Sequence, residues 1–165
     1  MSENIEVVFT FDTTGSMSPC LRQVRDKIDT SLAPLFKELP NLRIGLCAHG
    51  DYCDARTYVT KWQDLTNDLY KLTQFVNTTP STGGGDADEC YELVLREARS
   101  KSWSADSRKI LVVIGDANPH GVNYPQNTLR IDWRQEAAAL RDQGIQIYSV
   151  QCLPRYGNAS FYKEI

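Results

Sequence analysis

The sequence predicts an α/β domain: a doubly wound, mostly parallel Rossmann-like sheet with helices on both faces and a short antiparallel edge strand. Two apolar runs carry that expectation, Ile5 to Phe11 and Ile110-Leu111-Val112-Val113-Ile114. Both are rich in β-branched or aromatic residues, as strands buried on two faces are. Each ends at an aspartate, Asp12 in the first and, after Gly115, Asp116 in the second. Amphipathic helical stretches lie between them, the alternation that a parallel sheet needs.

The first strand opens into Asp12-Thr13-Thr14-Gly15-Ser16-Met17. Asp12, Thr14 and Ser16 carry side-chain oxygens spaced by two, and Gly15 lets the backbone turn sharply. The carboxyl end of a central parallel strand is where open α/β sheets place their ligands. Three hard oxygen donors in five residues suit a small divalent cation. Taken alone, the same residues also fit a plain polar turn with a serine cap.

A helix follows, with Ser18 as its expected cap and Pro19 in its first turn. Leu21, Val24, Ile28, Leu32 and Leu35 form a sheet-facing stripe, and Pro34 is expected to kink or end the helix. Leu42 to Ala48 reads as the second strand. It leads into the acidic loop His49-Gly50-Asp51-Tyr52-Cys53-Asp54, at the same end of the sheet as Asp12. Asp51, and less strongly Asp54, is a candidate for the surroundings of a cation; His49 reads as a packing residue. Tyr58 to Trp62 is a short edge strand whose connection is too short for a parallel crossover, so the pair is expected to be antiparallel. Asp64 to Val76 reads as a helix.

Next comes Pro80-Ser81-Thr82-Gly83-Gly84-Gly85-Asp86-Ala87-Asp88-Glu89. Consecutive glycines let a backbone pass close to another group. Helical periodicity restarts through Cys90, Leu93, Val94 and Ala98, so this loop feeds a helix rather than linking two domains. It lacks the Lys and Ser/Thr of a phosphate loop and the preceding strand of a dinucleotide loop. Asp12 and Asp116 at one sheet edge repel each other unless a cation or a proton offsets the charge. Asn118 to Gly121 is a loop, Asp132 caps a helix closed by Gly144, and Ile145 to Cys152 is a strand with Ile145, Ile147, Ser149 and Val150 toward the core. Pro154 and Gly157 mark a loop, and Phe161 to Ile165 begins a further helix.

The bulk numbers narrow the function. A chain of 165 residues suffices for one domain, spanning 1–165. With 18 Lys plus Arg against 21 Asp plus Glu, it offers no electrostatic case for nucleic acid or an anionic membrane. No apolar stretch reaches the ~18 residues of a membrane span, and the amino terminus has no signal-peptide pattern. Five cysteines without Cys-x-x-Cys spacing argue against structural zinc and suit a reducing compartment. A cytoplasmic protein is expected. Asn77-Thr78-Thr79 and Asn158-Ala159-Ser160 match the glycosylation pattern and are read as chance matches.

Together, Asp12-Thr13-Thr14-Gly15-Ser16, Gly83-Gly84-Gly85-Asp86 and Ile114-Gly115-Asp116 resemble the von Willebrand factor A domain across almost the whole chain. The triple-glycine loop and Asp51-Tyr52-Cys53-Asp54 are similar to those of its intracellular and kinase-linked members. The resemblance implies a metal-ion-dependent adhesion site in which Asp12, Thr14, Ser16, Asp86 and Asp116 hold Mg2+ or Mn2+. Thr14 stands where Ser is commoner, and Asp86 where many members have Thr; Thr82 is the second choice for that ligand. Asp51 and Asp88 fall in the surrounding shell. The implied function is protein binding without catalysis, through an Asp or Glu carboxylate of a partner. A metal-dependent phosphoester hydrolase is the alternative, weakened because position 14 is Thr rather than a second aspartate; a metal-free scaffold is a third. The resemblance also implies a domain lacking its usual last strand and closing helix, with an apolar patch beside its final strand.

Overall fold

The computed structural model describes residues 4–153 and 160–165. Its central strand is β1 (Ile5–Asp12), paired in parallel with β2 (Leu42–His49) and β5 (Arg108–Gly115). β7 (Ile145–Gln151) extends the sheet in parallel beyond β5, and β3 (Thr60–Thr66) adds the antiparallel edge to β2. The order is β3-β2-β1-β5-β7. In register, Asp12 faces His49 and Phe11 faces Ile114, so the loops after β1, β2 and β5 open at one edge of the sheet. A separate parallel pair joins β4 (Asp88–Glu89) to β6 (Asn118–Pro119), bringing the glycine loop beside the loop after β5.

Helices α1 (Ser18–Glu38) and α2 (Leu69–Thr78) cover one face; α3 (Tyr91–Ala98), α4 (Trp133–Asp142) and the short α5 (Phe161–Glu164) cover the other. On the second face Val8, Leu111, Val113 and Ile145 pack beneath Tyr91, Leu95, Leu140 and Phe161, all nearly sealed from water. The first face is looser. Phe11 and Ile44 are buried against Leu21, Leu72 and Phe75, but Val7, Phe9 and Ile114 are only half-buried. The expectation that β1 and β5 are sealed on both sides therefore holds for one face alone. An apolar groove of about 470 Å³ runs there, walled by Phe9, Met17, Val24, Leu32 and Ile114. Val24 and Leu35 of the α1 stripe are exposed, as are Tyr148 (51%) and Val150 (45%) on β7. Val150 thus points away from the sealed core, because residues alternate sides along a strand and Ile145 and Ile147 take the inner side.

Other differences have local causes. Ser18 is the first residue of α1, preceded by a 3-10 turn over Gly15–Met17, and its hydroxyl donates to the Gly15 carbonyl instead of capping. Pro34 lies inside α1, which runs on to Glu38. Residues 64–66 belong to β3, not to a helix: Leu65 is buried in the core, and Asp68 caps α2 by accepting from the Lys71 N–H. An irregularity in the β2–β3 register near Ile44 and Leu46 disguises the strand alternation there. Asp132 caps α4, and Gly144 has the positive φ of 76° that closes it. The loop expected at Pro154 and Gly157, and Asn158, lie outside the described residues.

At the opposite edge of the sheet, Glu6 is buried but well satisfied. It pairs with Arg43 at 2.6 Å and accepts from the Ser104 amide and the Ser104 and Ser107 hydroxyls. Burial alone would raise its pKa, yet these donors hold it below the ordinary value.

Candidate functional site

Asp12 is the last residue of β1 and is wholly buried. The Thr14 N–H and hydroxyl both donate to its Oδ1 at 2.7 Å, and the Tyr91 hydroxyl donates to Oδ2 at 3.0 Å. Tyr162 in turn donates to Tyr91 at 2.9 Å. Burial raises the Asp12 pKa despite these donors. Thr14 is buried, with its hydroxyl 3.5 Å from that of Ser16 in the turn that follows.

Beside these residues lies a cleft of about 310 Å³, lined by Thr14, Ser16, Asp86, Asp88, Glu89 and Asp116 together with the three glycines. The fold therefore brings four of the five expected ligands, Thr14, Ser16, Asp86 and Asp116, to one cleft, and the fifth, Asp12, lies behind them and accepts from the Thr14 hydroxyl. The second-choice ligand is turned elsewhere: Thr82 Oγ1 lies 3.1 Å from Thr13 Oγ1, and Thr82 does not line the cleft. Asp86 is exposed. Its carboxylate accepts from the Asp88 N–H and, at 3.1 Å, from the Tyr124 hydroxyl. Asp88 is half-buried, and burial raises its pKa.

Sequence reasoning gave Glu89 a place on the acidic loop surface but no part in holding the ion. Glu89 is buried at the floor of the cleft, and its Oε2 accepts no hydrogen bond. Burial, then the charges of Asp12, Asp51 and Asp54, push its pKa up to about 10. The signal available in the sequence was its place one residue before the α3 helical pattern, but nothing there says whether the carboxylate turns inward.

The glycine loop is held from below. Asp54 accepts the N–H groups of Gly83 (2.9 Å) and Gly84 (3.1 Å), and that of Asp51. Gly84 has φ of 73°, and a Cβ there would stand 3.0 Å from Glu89 Oε1, so the position suits glycine on both counts. Asp51 is buried and bonded through Oδ1 to His120 Nε2 at 2.7 Å. His49 does pack, with its ring 4.7 Å from Tyr91, and burial lowers its pKa to about 4.

The donor set fits a hard divalent ion. Among the described residues, the side chains lining the cleft are all oxygen donors or small, and none is Lys or Arg. The sequence profile of the von Willebrand factor type A domain matches residues 6–163. The chain belongs to the von Willebrand factor type A domain family. Domains of this family are generally protein-interaction modules, often metal-dependent. This von Willebrand A domain is also similar to the alpha-protein kinase vwkA of Dictyostelium discoideum, with 25% identity over 126 residues. The match covers 74% of this chain and 20% of that protein. Among the described residues, no helix is long and apolar enough to cross a membrane.

Proposed function

We propose that this von Willebrand A domain holds Mg2+ or Mn2+ at Asp12, Thr14, Ser16, Asp86 and Asp116 and uses it to bind a protein partner through a partner carboxylate. The observation that carries this reading is the charge imbalance of the cleft. Asp88 and Glu89, which line it, and Asp12 behind Thr14 all have raised pKa values, and among the described residues no basic residue lines it. A divalent cation offsets that repulsion. Magnesium keeps several waters, so some of these groups act through water, and Asp86 reaches the ion that way or by rotating its exposed side chain. Glu89, protonated at the floor without the ion, adds negative charge there once the ion displaces its proton.

An outward position of the ion, filled by water, is where an Asp or Glu of the partner binds. Without the ion, Asp86, Asp88 and Asp116 repel an acidic partner, so metal loading switches the surface from repulsive to attractive. The domain acts as a cytoplasmic interaction module and carries out no catalysis. The test is capture of partners by wild type and Asp116→Ala, each with and without EDTA, with folding checked by circular dichroism. Partners that need both the metal and Asp116 support the reading. Capture that survives both EDTA and Asp116→Ala at unchanged affinity sinks it.

A further inference from the structure

We infer that Asp51, Asp86 and His120 form a second cation site, distinct from the cleft and suited by its imidazole to Zn2+ or a similar borderline ion. The residues come from three loops: the one after β2, the glycine loop and the one after β6. One ligand atom from each lies within 4.8 Å of the other two. Two carboxylates and an imidazole differ in kind from the all-oxygen cleft, because imidazole favours zinc and its neighbours over magnesium.

Three loop residues close together would not by themselves make a site. The further observation is Asp51 Oδ2. Asp51 is 0% exposed, its Oδ1 is used by His120, and its Oδ2 has no hydrogen-bond partner among the described residues. That oxygen faces the glycine loop, since a Cβ built on Gly85 would stand 3.6 Å from it. A plain Asp51–His120 pair leaves that buried carboxylate oxygen uncompensated, and a cation removes the deficit.

The neighbours hold the ligands in place. The His120 ring stacks on Tyr124 at 3.7 Å and 10°, and its backbone N–H donates to Glu92. The same Tyr124 donates its hydroxyl to Asp86, tying two ligands to one aromatic support. The Asp51–His120 separation of 2.7 Å needs to open only modestly, because zinc stands about 2.0–2.2 Å from oxygen and nitrogen ligands. Asp86 is the one residue shared with the proposed cleft ion.

The test is calorimetric titration of Zn2+ into the chain in excess Mg2+, which occupies the cleft. One Zn2+ per chain is expected to bind, at least tenfold more weakly in His120→Gln or Asp51→Asn and within twofold of wild type in Asp12→Asn. His120→Gln retains a hydrogen-bonding side chain toward Asp51, and thermal melts confirm that it folds. Zinc-edge X-ray absorption is expected to show one imidazole ligand. Equal binding by wild type and His120→Gln, or a spectrum without imidazole, overturns the site; so does binding that vanishes only with Cys53→Ser, the neighbouring exposed thiol. Asp12→Asn that loses the Mg2+ response but keeps zinc separates this site from the cleft ion.

Discussion

Asp12 and Asp51 sit at the same edge of the sheet, both wholly buried, and reach opposite electrostatic outcomes. Asp12 is met only by amide and hydroxyl donors, and burial raises its pKa. Burial also acts to raise Asp51, but the hydrogen bond and charge of His120 outweigh it and the pKa falls. The two histidines mirror the contrast. His49 has no hydrogen-bond partner on either ring nitrogen among the described residues, and burial lowers it to about 4. Burial acts on His120 in the same direction, yet Asp51, Glu92 and Asp86 raise it. At Asp12 the neutral donors only soften the effect of burial; at Asp51 the bond and opposite charge of His120 help to reverse it. One corner thus carries charge of its own sign only, while the other contains its counter-charge.

Removing each carboxylate is the strongest way to break that contrast. Asp51→Ala strands the buried His120 and is expected to cost about 3–5 kcal/mol of unfolding free energy. Asp12→Asn keeps the shape and is expected to stay within about 1 kcal/mol of wild type in EDTA. Urea unfolding of both variants in EDTA decides it, and equal losses would remove the distinction.

A second experiment adds the ion. At 100-fold excess over its dissociation constant, Mg2+ is expected to stabilise wild type by about 2.7 kcal/mol. The gain should vanish in Asp12→Asn and Asp116→Ala and persist in Thr82→Ala, whose hydroxyl is turned toward Thr13. Melting curves with and without Mg2+ measure it; a full response in Asp12→Asn would show that the ion binds elsewhere.

The histidines sharpen the comparison through pH. His49 has a folded pKa near 4, below the unfolded value of about 6.5, so only the unfolded chain binds its proton in that window. Stability should fall by about 1–3 kcal/mol as pH drops from 6.5 toward 4, and His49→Phe should flatten the slope. His120 has the opposite sign. Its raised pKa gives stability that is fully present below about 6.5 and lost as pH rises through the folded value, so His120→Gln should flatten the alkaline side. Unfolding in EDTA across this range reads both slopes.

Glu89 gives the remaining contrast. Its raised pKa keeps it protonated at neutral pH in the metal-free protein while the unfolded chain has it ionised, so Glu89→Gln should stabilise that form by about 1–3 kcal/mol. The same variant should weaken Mg2+ binding. A loss of metal-free stability would mean that Glu89 is charged there.

The sheet was legible because β1 and β5 are dense apolar runs ending in Asp12 and Gly115-Asp116. The gathering of Thr14, Ser16, Asp86 and Asp116 followed from parallel topology, which places those strand ends and the glycine loop at one edge. Residues 64–66 were misread because Leu65 fits a helical stripe with Leu69 and Leu72 as well as a strand, and only packing separates the two. His120 was passed over because its meaning depends on Asp51, 69 residues away, and pair geometry leaves no local pattern. Asp54 ranked below Asp51 in the sequence, although Asp54 carries the glycine loop on its two carboxylate oxygens.

That clamp has a kinetic consequence. Glycine-rich segments lose more conformational freedom on ordering than any others. Here Asp54 fixes Gly83 and Gly84, and the Thr82 N–H donates to the Thr13 carbonyl, so that loss is already taken at these residues in the folded chain. A ligand reaching the cleft meets a wall already in position. For the proposed magnesium ion, arrival is then expected to be timed by shedding its own hydration water, a slow step, rather than by a search through loop conformations.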